Sequence, residues 1–258
     1  MGKIIAFSNQ KGGVGKTTTC VNMSSYLASR GKKVLIVDLD PQGNATTGLG
    51  FSKSEVKQNV YNVMIDDLPL ETSILKTAID GLDILPSNID LAGAEVELVY
   101  VKDREHVLRR ALEKAKDHYD FITIDCPPSL GLLTINALAC ADTCIIPIQS
   151  EYYAMEGLSQ LMNTIKLVVK HLNEHLKIEG VVLTMSDNRA IISRQISNEI
   201  RKFFGKRVFD TVIPRNVRLA EAPSHGVPIM LHDTKCSGAR AYLALTEEFL
   251  SRQPAKLK

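Results

Sequence analysis

The chain has 258 residues, of which 45% are hydrophobic and 23% charged, with a formal net charge of +2. That is enough for one large α/β domain with a substantial core, and too little charge for a general polycation. No apolar run reaches the roughly 18 residues of a membrane span, and five cysteines, at 20, 126, 140, 144 and 236, form no paired framework, which excludes a disulfide scaffold and points to a reducing cytoplasm.

In chain order, Lys3 to Ser8 reads as a first strand, with no targeting segment before it. It runs into Lys11-Gly12-Gly13-Val14-Gly15-Lys16-Thr17-Thr18. Strand, glycine-rich turn, lysine, hydroxyl and helix make a phosphate-binding P-loop. The glycines let successive N–H groups turn toward phosphate oxygens, and the following helix adds its positive end. Lys16 supplies charge to β- and γ-phosphates, and the Thr17 hydroxyl is placed to bind Mg²⁺. The loop is a variant. Ser8 stands where the first glycine of the usual spacing falls, and Lys11 is an extra lysine at its head.

Thr18 to Arg30 is a predicted helix with Val21, Met23, Leu27 and Ala28 as core positions, ended by Gly31. Val34 to Val37 is a continuous apolar strand, expected to be buried on both faces, and leads into the loop Asp38-Leu39-Asp40-Pro41-Gln42-Gly43-Asn44. In open parallel sheets, ligands bind at that carboxyl edge. Helix-like spacing recurs at Val56, Val60, Val63 and Met64, then a strand at Leu82 to Leu85 and helices at Leu91 to Val101 and Glu105 to Lys116. Phe121 to Asp125 is a buried strand ending in a carboxylate, the form of a Walker B element whose Asp orients the hydration shell of Mg²⁺.

Further strands are expected at Thr143 to Ile148, Val181 to Met185 and Val208 to Ile213. Helices are expected at Leu130 to Ala139, Gly157 to Leu176, Ile191 to Phe204 and Ala239 to Arg252. Strands alternating with helices imply a doubly wound, mainly parallel sheet flanked by helices. Between Asp187 and Arg240 ten Lys and Arg stand against five Asp and Glu, which points to a local anionic partner.

These motifs resemble the ParA/MinD group of deviant Walker A P-loop ATPases. The Lys11–Thr18 stretch is similar to its Walker A motif, Val37–Asn44 to its A-prime motif, and Asp125-Cys126-Pro127-Pro128-Ser129 to its Walker B region. The runs Glu151–Leu158, Val212–Arg218 and Glu221–Gly226 resemble its chromosomal ParA branch. The likeness spans residues 1 to about 250 and implies one ATPase domain over residues 1–258, with ATP and Mg²⁺ as cofactors.

The resemblance also implies roles. Lys11 would reach across an ATP-dependent homodimer to the partner's nucleotide, with Gly12 at the same junction. Lys16 would act on the phosphates, and Asp40 would orient the attacking water, with Asp38 as the alternative acid. Gly13, Val14, Gly15, Thr17 and Thr18 would complete the nucleotide loop. Thr17 and, through water, Asp125 would serve the metal, and Pro214 and Asn216 would border the adenine. The ATP dimer would bind duplex DNA of any sequence through Arg189 and Arg218, with Arg194, Arg201, Lys202, Lys206 and Arg207 in the same positive region. A ParB-type centromere-binding protein would stimulate hydrolysis. The implied location is the cytoplasm, on the nucleoid.

Two rivals share the fold. A MinD-like membrane switch needs an amphipathic basic C-terminal helix, which Pro254 interrupts. An iron–sulfur carrier needs bridging cysteines, and there is no Cys-x-x-Cys.

Overall fold

The computed structural model describes residues 2–151, 154–186 and 191–257. Among these residues seven strands form one sheet: β1 (Lys3–Phe7), β2 (Val34–Asp38), β3 (Leu75–Lys76), β4 (Leu82–Leu85), β5 (Phe121–Asp125), β6 (Thr143–Gln149) and β7 (Lys177–Thr184). Their spatial order is β3-β4-β2-β5-β1-β6-β7. Every neighbouring pair is parallel except β3 and β4.

The helices are α1 (Lys16–Ser29), α2 (Asn44–Gly48), α3 (Val60–Ile65), α4 (Leu70–Ser73), α5 (Leu91–Glu97), α6 (Val107–Leu112), α7 (Leu132–Cys140), α8 (Ala154–His171), α9 (Ile191–Phe204), α10 (Val217–Glu221), α11 (Ile229–His232) and α12 (Ser237–Ser251). The inner strands are buried on both faces, so their apolar runs are continuous and successive residues feed opposite layers. Ile4, Leu35, Val37, Ile122 and Ile124 pack with α3 and α5 to α9. Ile5, Phe7, Val34, Ile36 and Phe121 pack with α1 and α12. The mainly parallel, doubly wound sheet expected from the sequence is the sheet observed.

Two sequence expectations differ in detail, and some short helices have no expectation at all. Residues 208–213 do not form a strand. Phe209 and Ile213 donate to Val181 and Leu183 along β7, but the Asp210 and Thr211 N–H groups turn away to the Glu248 carboxylate at 2.8 and 2.9 Å. Residues 105–116 are not one helix, because α6 is flanked by single 3-10 turns. Asn136 of α7 holds that region, accepting from Leu108 N–H and donating to Arg104 O. The short helices α2, α10 and α11 have too few residues to show a helical period in sequence.

Gly180 lets β7 approach Phe209: a Cβ there would lie 2.3 Å from the ring. Phe209 is fully buried and has no space to withdraw. Gly180→Ala is therefore expected to cost about 1–3 kcal/mol through overpacking, read as a lower urea midpoint with an unchanged slope.

Candidate active site

The site grows from the carboxyl edge of three adjacent strands. Phe7 of β1 and Asp38 of β2 both pair in register with Asp125 of β5. Neighbouring strands are about 4.8 Å apart, so the register sets two carboxylates side by side. Both are fully buried.

From Phe7 the chain turns through residues 8–15 into α1. Gly13 and Gly15 have φ of +71° and +85°, a region that costs an L side chain. Gly12 does not share that conformation, and a Cβ there would meet only Pro128, at 3.9 Å. The loop is fastened at both ends. Asn9 donates to Pro147 O at 2.8 Å and accepts from Lys11 N–H, while Thr184 Oγ1 donates to Val14 O at 2.8 Å. Gly15 caps α1 with no side-chain bond, which leaves the first-turn N–H groups facing the edge.

Lys16 is only 6% exposed, and its Nζ donates to Lys11 O at 3.2 Å across the loop. Burial lowers its pKa, and Asp125 and Asp40 oppose that shift. Asp125 is pushed well above the usual carboxylate range by burial and by Asp38, with Thr17 and Lys16 pulling the other way. The Thr17 hydroxyl is near enough to favour the Asp125 carboxylate, yet neither Asp125 oxygen has a hydrogen bond of normal geometry. A buried carboxylate without donors, beside a lysine and a threonine hydroxyl, fits a hydrated cation that the carboxylate holds through water.

Asp38 serves differently. Thr46 donates to Asp38 Oδ2 from its N–H at 2.8 Å and from its hydroxyl at 2.7 Å, and Asp40 N–H donates to Oδ1 at 3.3 Å. Burial nevertheless raises its pKa to about 6. Asp38 therefore folds the loop that carries Asp40. Asp40 itself is 6% exposed and accepts from Gln42 N–H at 2.9 Å. Of the two acids left open by the sequence, Asp40 is the one less committed to internal bonds.

Pro214 and Asn216 line a mostly apolar cavity of about 370 Å³ with Gly15, Thr18, Thr184 and Met185. Asn216 Nδ2 donates to Ser237 at 2.9 Å, while its Oδ1 is buried without a partner among the described residues. Met185 holds φ of +47°, a strained value for a residue with a side chain and one often kept at functional sites. The edge thus gathers Gly12, Gly13, Val14, Gly15, Lys16, Thr17, Thr18, Asp40, Asp125, Pro214 and Asn216.

Lys11 turns outward and pairs with Glu151 at 2.8 Å. Arg218, on α10, bonds Glu221 at 2.9 Å and lies 3.7 Å from Asp233. Arg189 lies outside the described residues. Arg201, Lys206 and Arg207, which the sequence groups with Arg218, lie instead by the first residues of β1, β6 and β7, at the other end of the sheet.

Sequence reading missed Thr46, Ser87 and Glu95. Thr46 Oγ1 both donates to Asp38 and accepts from Ser87 N–H at 2.9 Å. Glu95 of α5 accepts from Leu132 and Leu133 N–H, anchoring the end of the loop that follows Asp125. A threonine or glutamate of this kind has no local spacing to mark it, since its partners are distant in sequence.

The comparisons with known proteins agree with this geometry. A family model described as an AAA domain matches residues 2–178. The chain is 59% identical over 248 residues to the sporulation initiation inhibitor protein Soj of Bacillus subtilis (strain 168), covering 96% of this chain and 98% of that protein. It is 52% identical over 256 residues to the chromosome partitioning protein ParA of Myxococcus xanthus (strain DK1622), covering 99% and 90%. Among solved structures, cobyrinic acid a,c-diamide synthase from Mycobacterium smegmatis, with bound ADP and magnesium, superposes with a TM-score of 0.84 at 37% identity, covering 96% of this chain and 93% of that one. Fold and loop define the class as nucleotide-binding P-loop ATPases with a variant Walker A loop. Within that class the chain belongs to the Soj/ParA family of chromosome-partitioning ATPases.

Thr46→Val would leave Ser87 N–H without an acceptor and weaken the hold on Asp38. A loss of about 1–3 kcal/mol in unfolding free energy is expected, together with slower ATP hydrolysis, both recovered in Thr46→Ser.

Proposed function

We propose that the protein is one ATPase domain, residues 1–258, acting as an ATP-driven switch in chromosome or plasmid partitioning. The observation that carries this reading is the buried Asp125 carboxylate, with Lys16 and Thr17 beside it but no hydrogen bond of normal geometry among the described residues, next to the loop built on Gly13 and Gly15. ATP phosphates would lie along the N–H groups of residues 12–18, with Lys16 as the counter-charge. Thr17 and, through water, Asp125 would hold Mg²⁺, which supplies charge neutralisation on the phosphates. The base would occupy the cavity bordered by Pro214 and Asn216, where the unpartnered Asn216 Oδ1 suits an amino group such as that of adenine.

Asp40 would orient the attacking water. Lys11 would act in trans: in a homodimer it would reach the partner's phosphates as an added positive charge on the transition state. The Glu151 pair does not prevent this, because both side chains are partly exposed and such pairs hold by roughly 0–1 kcal/mol. The ATP dimer would present Arg218, with Arg189, to the phosphate backbone of duplex DNA, placing the protein on the nucleoid in the cytoplasm. Arg218 would exchange Glu221 and Asp233 for phosphate in doing so. A ParB-type centromere-binding protein would stimulate hydrolysis and release.

A MinD-like membrane role draws less support. Helix α12 stops at Ser251, and Gln253 is buried, with its side chain bonded to Lys3 and Glu179. Leu257 is 8% exposed, so the apolar residue of this tail is packed down rather than offered to a bilayer. Among the described residues no helix is long and apolar enough to cross a membrane.

The test is binding to random-sequence duplex DNA at physiological salt with ATP or ADP. Binding is expected with ATP, and Arg218→Glu is expected to lose it. Asp40→Ala should keep ATP and DNA binding while hydrolysis falls about 10²- to 10⁴-fold. Equal binding with ADP, or undiminished hydrolysis in Asp40→Ala, would overturn the reading.

A further inference from the structure

A second concavity lies away from the P-loop edge. It is an open groove of about 1050 Å³ at the opposite end of the sheet. Lys3, Thr143 and Lys177, the first residues of β1, β6 and β7, line it, together with the turn after α9 and the end of α12. Four residue steps along β1 separate Lys3 from Phe7, about 13 Å at strand spacing, so the groove and the nucleotide loop lie at opposite ends of the same strand.

The groove is positive, with six Lys and Arg residues against three carboxylates. Two of those carboxylates are already engaged. Glu179 pairs with Lys3 and accepts from Gln253, and Asp142 accepts from Ile4 N–H and pairs with Lys116. The third, Asp210, is exposed and lies 3.9 Å from Arg201. Arg252 is bonded to Glu248 and lies over the Phe209 ring. By contrast, Lys177, Lys206 and Arg207 are exposed and have no side-chain partner among the described residues. Three cations on two separate segments, without a partner among the described residues, converge on one trough.

The chemistry selects phosphate rather than a whole nucleotide. No Phe, Tyr or Met is among its lining residues, its apolar lining is limited to Ile178 and Val208, and its one ring, His175, is exposed at the surface, so no apolar slot encloses a base. Helix α9, which leads into the turn that lines the groove, carries Arg194, Arg201 and Lys202 against the single carboxylate of Glu199. An open positive groove, with further cations on the helix that leads into it, suits an extended polyanion better than a compact one.

We propose that this groove is a second DNA-binding surface, which takes the phosphate backbone of duplex DNA through Lys177, Lys206 and Arg207 without requiring ATP. The attraction is through charge alone, so it is weak, indifferent to sequence and strongly salt-dependent. In the dimer proposed above, with the P-loop edges face to face, the two grooves point outward at opposite ends. A dimer held on one DNA segment by Arg218 then has free sites for another. That consequence rests on the dimer reading; the groove itself does not.

The test is a salt series of binding to random-sequence duplex DNA by the full chain in ADP. Wild type is expected to bind at low salt and lose binding steeply as salt rises. The combined variant Lys177→Gln, Lys206→Gln, Arg207→Gln should flatten the slope of log K against log salt by about 0.9 for each phosphate it no longer neutralises. It should keep its ATP-dependent binding at physiological salt and its basal ATPase rate, which report an intact fold. Arg218→Glu should show the reverse pattern, keeping ADP-state binding and losing the ATP-dependent part. Absence of low-salt binding by wild type in ADP, or an unchanged slope in the combined variant, would overturn the proposal. So would tighter binding to phosphatidylglycerol vesicles than to DNA, lost in the same variant, since the groove would then serve a membrane surface.

Discussion

Two carboxylates and one lysine are buried together where β1, β2 and β5 end, and much of the structure around them exists to make that tolerable. Asp38 and Asp125 face each other in register, and burial raises the pKa of both. Like charges this close in a dry setting repel, and removing ions from water is costly unless each finds partners. Asp38 finds them in Thr46 and the Asp40 N–H. Asp125 does not, and Lys16 balances only part of the excess. The edge therefore disfavours the charged forms of its acids until a cation arrives to offset them, which is the property a Mg²⁺–nucleotide site needs.

That imbalance connects the nucleotide edge to its surroundings. Asp38 holds Thr46, Thr46 holds Ser87, and the same loop carries Asp40. Asp125 continues into the loop whose far end Glu95 anchors at the start of α7. Two hydrogen-bonded routes thus lead away from the edge, one through Thr46 to Ser87 and one through the loop after Asp125 to Glu95. The outward-facing side chains are held more loosely. Lys11 and Arg218 are each paired to carboxylates at the surface, where exchange for phosphate costs little.

The parts of this arrangement with a local signature were legible in the sequence. The loop from Lys11 to Thr18, the apolar strands and the acids that end them stand at fixed spacings, and the structure brings them to one edge. The 208–213 segment reads as a strand from its apolar residues, but two of its N–H groups belong to Glu248, some forty residues away. Thr46 and Glu95 look like ordinary helix residues because their partners are set by the fold. The positive charge between Asp187 and Arg240 reads as one region, yet Arg218 and Arg207 lie toward opposite ends of the sheet. Charge counting along a chain reports its amount and not its direction. Residues 3, 177 and 207 meet in one groove only after β1, β6 and β7 are laid side by side.

The most direct test of the charge-deficient edge is Asp125→Asn, followed by thermal unfolding without ligand and with ATP in Mg²⁺ or in EDTA. Replacing a buried acid whose charged form burial disfavours with a neutral amide of the same shape should leave the ligand-free protein as stable as wild type or more so. The same change should abolish the extra stabilisation that ATP gives in Mg²⁺ over EDTA, a gain wild type is expected to show by mass action. A variant that melts earlier without ligand yet keeps the full Mg²⁺-dependent gain would contradict the assignment of Asp125 and the view of the edge built on it.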